Sequence, residues 1–425
     1  MRLILVLLLL AGFAFKARAE TANPVVEWNE LLLSTAQSED GFLTLKGVRA
    51  AAIMHLAIHD SLNAIEGEFN TYAYHDPAPL ADPGAALAHA AYDVAADQYP
   101  DKAADFAALR DRWLAKVDDS RAESAGAAVG AAAARAALAK RVGDNWNTEV
   151  EYQLHPMGPG VYAEFPDHSG TPQGFVFGAA WAHAKGFALK SADQFRAPPP
   201  PAIDSDAYAR AFNEVKEVGR FQSMTRTADQ THLALWWKDF AENSHNRLAR
   251  KLAVEEKLSL AESARLFALI NMGIFDAYVS VFENKFHYNH WRPYTAIRWA
   301  ENDGNPDTAP EPTWNNTHRH TYAFPSYPSA HGAVCAAAMA VFSDVFGDAR
   351  KFEMETKTVD IAGPFSEPLE MHPPTRRFKK FSSAAEECAL SRVYLGIHFR
   401  YDSVEGTKLG RAVGENVIDT LLTRR

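Results

Sequence analysis

Three short segments in the C-terminal half carry side chains of the kinds that hold and attack an anion. The first, K-F-H-Y-N-H-W-R-P from Lys285 to Pro293, sets a lysine and an arginine seven residues apart. On a continuous helix Lys285 and Arg292 lie two turns apart on one face, and Pro293 suits the first position of a following helix, where its missing N–H costs nothing. The second, F-P-S-Y-P-S-A-H-G from Phe324 to Gly332, runs into an alanine-rich helix expected to end near Phe346. Ser329 sits where a helix cap belongs. Its hydroxyl and the free N–H groups that begin at Ala330 point to a common spot favouring an anion, with His331 in the same turn. The third, S-R-V-Y-L-G-I-H-F-R-Y-D, places Ser391 and His398 nearly in line on a helix, with Asp402 one turn beyond to hold the imidazole in one tautomer. Arg392 adds a third cation. Taken singly, these read equally as a solvated basic edge, a capped helix and an amphipathic helix with a core histidine. Together they supply complementary parts of one anion site.

The elements that must position these groups read as helical. The chain has 425 residues, 47% of them hydrophobic and 23% charged, with two cysteines. It can bury a large core, and it is neither disordered nor a disulfide scaffold. The formal charge of −10 speaks against a nucleic-acid partner, which needs a basic surface. Arg2 leads an almost wholly apolar run from Leu3 to Phe15, and Ala17-Arg18-Ala19 precedes Glu20, the pattern of a cleaved secretory signal over residues 1–19. The expected location is secreted or periplasmic, after cleavage near Ala19. No later apolar run is long and uninterrupted enough to suggest a membrane span.

Helical patterns cover Leu45–Ile65, Ala85–Tyr99 and Ala122–Arg141, while Asp144–Phe177 reads as irregular. Four prolines at Pro198–Pro201 mark a boundary between an N-terminal helical region, 20–197, and a C-terminal helical bundle, 202–425, that holds the site. Ser205 is a cap candidate. Thr227 with Gln230 and Ser259 with Glu262 form capping boxes, the second opening a long apolar helix to about Phe282. The fold class is all-α, two bundle halves with the active site in the second.

In order along the chain, K-x6-R-P, P-S-x-H and S-R-x5-H with an aspartate four residues later resemble the superfamily shared by vanadium-dependent haloperoxidases and type 2 phosphatidic acid phosphatases. Arg226–Gln230, Trp291–Arg298, Asp303–Pro306 and Gly396–Arg400 are similar to the secreted bacterial haloperoxidase branch, as is His59–Ile65 in the first half. The family usually has glycine where this chain has Ala330.

The resemblance implies that Lys285, Arg292, Ser329, Ala330 and Arg392 hold the oxygens of a vanadate, with phosphate able to occupy the same place. It implies His398 as the single protein ligand to the metal, steadied by Asp402, and His331 as the group assisting hydrogen peroxide. It also implies an aromatic wall, Phe324 and Trp291, beside a halide pocket, and a homodimer. Three fixed cations suit a tetrahedral oxyanion, since one at about 4 Å contributes roughly 4 kcal/mol before desolvation at an effective dielectric near 20. With a phosphate monoester instead, His398 is the nucleophile of a secreted acid phosphatase working through a phosphohistidine, and His331 protonates the leaving alcohol. A silent oxyanion-binding bundle is the third reading. The aromatic segments and the exported location favour the peroxidase that consumes hydrogen peroxide and halide.

Other polar residues have weaker claims. Asp276 reads as a helix-to-helix contact or as the partner of an active-site arginine, and His55 with His59 as packed core before metal ligands. His287, His290, His318 and His320 flank the motifs and read as surface or packing residues before pocket lining or adventitious metal ligands, and Tyr394 and Tyr401 read as core. Cys335 and Cys388 fit either a disulfide or two buried thiols, since the spacing between their backbones decides.

Overall fold

The computed structural model describes residues 23–40 and 45–425; the signal sequence expected over 1–19 lies outside them. The first half contributes α1 (Pro24–Asp40), α2 (Leu45–Glu66), α3 (Pro83–Gln98), α4 (Ala103–Leu114), α5 (Ser120–Lys140) and the single turn α6 (Pro166–Ser169). The second contributes α7 (Asp206–Val218), α8 (Ala228–Trp236), α9 (Ala241–Glu255), α10 (Leu260–Tyr288), α11 (Pro293–Arg298), α12 (Ala330–Phe346), α13 (Phe381–Leu395) and α14 (Arg400–Thr420).

The helix starts follow from local chemistry. Ser205, Thr227, Ser259 and Ser329 each accept an N–H of the first turn, and both expected capping boxes form. Asp82 and Asp119 cap α3 and α5 in the same way. Hydrophobic all round, α2 and α10 bury nearly every residue, and they pack on each other so that one apolar core runs from Val25 to Leu422 across both halves. Among described helices only α10 is long and apolar enough to cross a membrane, and 89% of its most apolar window is buried inside the protein. The proline-rich segment is tied to α10 as well, through Asn284 to Phe195 and Ala197 and through the hydroxyl of Tyr288 to Ala197.

Two helices expected to run on are broken. α10 stops at Tyr288, where Asn289 turns left-handed at φ 48°, so Lys285 and Arg292 do not share a helix face. Likewise α13 stops at Leu395, because Gly396 adopts φ 81° where a Cβ would sit 2.3 Å from the carbonyl oxygen of Gly219. Ser391 and His398 are therefore not in line. His398 lies in the link to α14. Four strands also escaped the sequence reading. β1 (Phe352–Glu355) pairs antiparallel with β4 (Thr375–Phe378), Phe352 opposite Phe378, and β2 (Thr358–Asp360) pairs with β3 (Pro368–Glu370). At three or four residues each, they are too short to show a period.

Three glycines set the distance between α12 and α14. Gly406, Gly410 and Gly414, one turn apart, lie against Ser329, Ala333 and Ala337, so close that a Cβ on Gly410 would meet the Ala333 oxygen at 1.9 Å. This seam brings the first turn of α14, with Asp402, against the cap of α12, where the Ser329 N–H donates to the Asp402 carbonyl at 2.9 Å.

Candidate active site

Lys285, Arg292, Ser329, Ala330, His331, Arg392, His398 and Asp402 come together from the end of α10, the cap of α11, the start of α12, the end of α13 and the start of α14, each less than a tenth exposed. His398 is at the centre. Its Nδ1–H donates to Asp402 Oδ2 at 2.8 Å, and its Nε2 accepts from Arg292 Nη1 at 3.1 Å. That pairing selects the tautomer with an unprotonated Nε2, whose lone pair is free for a metal or a phosphorus atom when Arg292 turns to the same partner. Asp402 Oδ2 also accepts from Ser326 Oγ at 2.5 Å and from the Phe399 N–H at 3.2 Å.

Arg292 joins the three segments: Nε donates to the Phe324 carbonyl at 2.8 Å and Nη1 to that of Ile397 at 3.0 Å. Lys285 behaves differently from expectation. Its ammonium donates to the carbonyls of Pro325, Ser326 and Pro328 at 3.0, 2.7 and 2.6 Å, so all three protons clamp the turn before Ser329. In this arrangement it holds the cap in place, while burial and the neighbouring Arg292 push its pKa well down and Asp402 opposes them. Ala330 has ordinary helical backbone, without positive φ, so the methyl group where the family has glycine is accommodated.

The electrostatics keep the histidines neutral. Burial, then Arg292, Lys285, Arg392 and His331, hold His398 well below the usual imidazole range, and burial with Arg392 and His245 does the same to His331. Burial lowers Arg292 and Arg392 only to about 10, so both stay charged at neutral pH. Burial pushes the Asp402 carboxyl up, against Ser326, Lys285 and Arg292. Three buried donor positions of the cradle have no partner in the protein, Arg292 Nη2 and Arg392 Nε and Nη1; His331 Nε2 is likewise unpartnered but is an acceptor, since the neutral ring gives its one N–H to the Trp237 carbonyl. Such groups are costly unless something binds them. With the first-turn N–H groups of Ala330 and His331, the open guanidinium positions form the donor set a tetrahedral oxyanion requires, and vanadate or phosphate fits it.

Phe324 walls this cradle, 4.6 Å below the Arg292 guanidinium and 5.1 Å from the Lys285 ammonium. Its ring neighbours are Phe282 at 5.2 Å, Tyr322 at 5.8 Å and Phe177 at 6.0 Å. Trp291 lies elsewhere, in a second apolar cluster where it stacks on Tyr208 at 6.3 Å, because the chain reverses after Asn289. Phe282, one turn before Lys285 on α10, takes the place expected for Trp291. Its spacing was a usable signal. Ser326, inside the second segment, was passed over as the donor to Asp402.

The remaining candidates are placed as follows. Asp276 accepts the N–H groups of Phe187, Ala188 and Leu189 and anchors that turn. His55 meets Asn29 and His59 meets Asp60, both inside the core. His290 pairs with Tyr401 at 2.7 Å, His318 is buried, His320 is partly buried, and His287 is exposed. Tyr394 is partly buried against the core. Cys335 and Cys388 form a disulfide, one turn after His331 on α12 and one turn before Arg392 on α13.

Comparisons with known proteins bear on the fold. Residues 265–424 match the family model of the VCPO second helical-bundle domain. A vanadium chloroperoxidase of Curvularia inaequalis is 28% identical over 276 residues, 52% of this chain and 44% of that protein, so the chain spans about half the length of the curated relative it matches. The crystal structure of the first bacterial vanadium-dependent iodoperoxidase superposes with a TM-score of 0.75 at 23% identity, covering 95% of this chain and 98% of that one. A holo-type bacterial vanadium-dependent chloroperoxidase gives 0.66 at 17% identity, over 88% and 92%. At these identities the structural likeness is one of fold.

Proposed function

We propose that this chain, which carries the VCPO second helical-bundle domain and the fold of the bacterial vanadium haloperoxidases, oxidises halide with hydrogen peroxide at a vanadate ligated by His398. The observation that carries the reading is the neutral His398 Nε2, with Asp402 behind it, in one cluster with buried donors of Arg292 and Arg392 and an acceptor nitrogen of His331 that have no partner in the protein. Bound vanadate would supply the Lewis-acidic centre that activates peroxide toward a halide.

The chain's own groups do the rest. Arg292 and Arg392 would hold the oxyanion through the fork geometry of their guanidinium groups, and Lys285 would clamp the Ser329 turn. Asp402 keeps the proton on Nδ1, so that Nε2 stays a ligand. His331, neutral and with an unpartnered Nε2, would take a proton from peroxide and return it to the departing oxygen. Phe324, Phe282 and Tyr322 would keep water from the oxidising face. Export, as expected from the N-terminal apolar run, would put the enzyme where halide and peroxide are supplied.

The test is a pair of assays on purified protein: bromination of a phenol dye with vanadate and peroxide, and hydrolysis of a chromogenic phosphate monoester. Halide oxidation that needs vanadate and is abolished in His398→Ala is expected. Ester hydrolysis that vanadate only inhibits would replace this reading with the phosphohistidine one, and turnover retained in His398→Ala would end both.

A further inference from the structure

Glu242 opens α9 deep in the protein, 2% exposed, and among the described residues no lysine or arginine forms an ion pair with it. Its side-chain partner is the hydroxyl of Tyr278, which lies 3.1 and 3.0 Å from the two carboxylate oxygens. A carboxylate buried with one phenol is poorly compensated. Tyr278 stands two turns before Lys285 on α10, and its ring packs against Trp181 at 5.2 Å and Phe282 at 6.4 Å, in the aromatic wall that reaches Phe324. The charges of Arg392 and Tyr322 are near enough to act on its hydroxyl, Arg392 favouring loss of the phenol proton and Tyr322 opposing it.

We propose that Glu242 and Tyr278 are a hydrogen-bond donor switch beside the oxyanion cradle. Ionised Glu242 holds the phenol proton to itself; protonated Glu242 donates to the phenol oxygen and releases that proton to an anion at Arg392. The exchange needs only rotation about one C–O bond, since a phenol both donates and accepts. It rests on reading the cradle as an oxyanion site, and adds to the two arginines a further side-chain donor whose availability depends on pH.

The groups that face Glu242 are Tyr278 from α10, Asp239 from the turn before α9, and Tyr322 from the segment before α12. Burial pushes the Glu242 carboxyl up to about 7, with Asp239 adding to the rise and its own N–H and Tyr278 opposing it. Both states are therefore populated near neutral pH. The proton-bound state is the one that favours an anion.

The probe is tungstate, a tetrahedral oxyanion that stays doubly charged over the range used, titrated calorimetrically into the full chain at about pH 6 and about pH 8.5. Tyr278→Phe is expected to weaken binding about tenfold at the lower pH, the worth of one hydrogen bond to a charged group, and to leave it unchanged at the higher. Glu242→Gln is expected to remove the same factor from the pH dependence, while contributions from Asp402 and the histidines persist in all three proteins. Tyr278→Phe equal to the parent at both pH values, or weakened equally at both, overturns the switch, as does a full pH dependence in Glu242→Gln. A parent protein that binds no tungstate overturns the cradle reading itself, and the switch with it.

Discussion

Replacing Gly406 with alanine should damage the site from outside it. A Cβ on Gly406 would lie 2.4 Å from the Ser329 oxygen, 3.1 Å from its nitrogen and 3.2 Å from its carbonyl carbon, where ordinary contact begins at 3.4 Å. Backbone cannot swing aside as a side chain can, so α12 and α14 must part by about 1 Å, at a cost of about 1–3 kcal/mol in overpacking. Ser329 caps α12 and carries the Ala330 and His331 N–H groups with it, and a displacement of about 1 Å at a reacting centre costs on the order of 10²-fold in rate. The same change at Gly273 on α10 is the control. There a Cβ would meet the Ala337 oxygen at 3.8 Å, an ordinary contact, and alanine should stabilise the helix by about 0.5–1 kcal/mol. The two variants should therefore diverge by about 1.5–4 kcal/mol in urea unfolding, and tungstate titration should show anion affinity lost only in Gly406→Ala. Two variants that unfold together and bind alike would refute the close-packed seam.

Asp402→Asn should weaken vanadate binding by about 10–100-fold, because the neutral amide is a weaker acceptor and can turn its NH2 toward Nδ1, reversing the His398 tautomer; unchanged affinity by titration would count against the ligand role of Nε2. Replacing Cys335 and Cys388 together by serine removes a link closing a separation of 53 residues, about 4 kcal/mol on a chain-entropy basis, measurable by urea unfolding and by adding reductant to the parent. Acid should unfold the protein early. Burial holds His55, His245 and His290 down to about 3, 4 and 3, so the stability they confer is present above the free imidazole value and is lost as pH falls below about 6.5, by roughly 3 kcal/mol each near pH 4. Glu242 and Asp276, raised to about 7 and 6, work the other way: their burial penalty is fully felt above those values and fades as pH falls toward the free carboxyl range. Three histidines outweigh two carboxyls, so thermal melts should show a maximum near neutrality and a steep fall below pH 6; a flat profile would contradict the burial of these imidazoles.

What could be read from the sequence was decided by near neighbours. Ser329, Thr227 and Ser259 announce helix starts because a cap needs only its own hydroxyl and an N–H three residues on. The order and types of Lys285, Arg292, Ser329, His331, Arg392, His398 and Asp402 marked the anion site for the same reason: each segment carries its chemistry within about a dozen residues. The spacing of Gly406, Gly410 and Gly414 became meaningful only once the fold showed which backbone lay against them. Only the packed chain settled that Lys285 spends its protons on the Ser329 turn, that Phe282 rather than Trp291 stands beside Phe324, that the two sulfurs meet, and that Glu242 reaches Tyr278. Those outcomes depend on where helices far apart in the chain stop and how closely they approach. A left-handed residue at Asn289 or Gly396 redirects everything after it, and whether two polar atoms end 3 Å apart or 8 Å apart is fixed by the fit of whole helices.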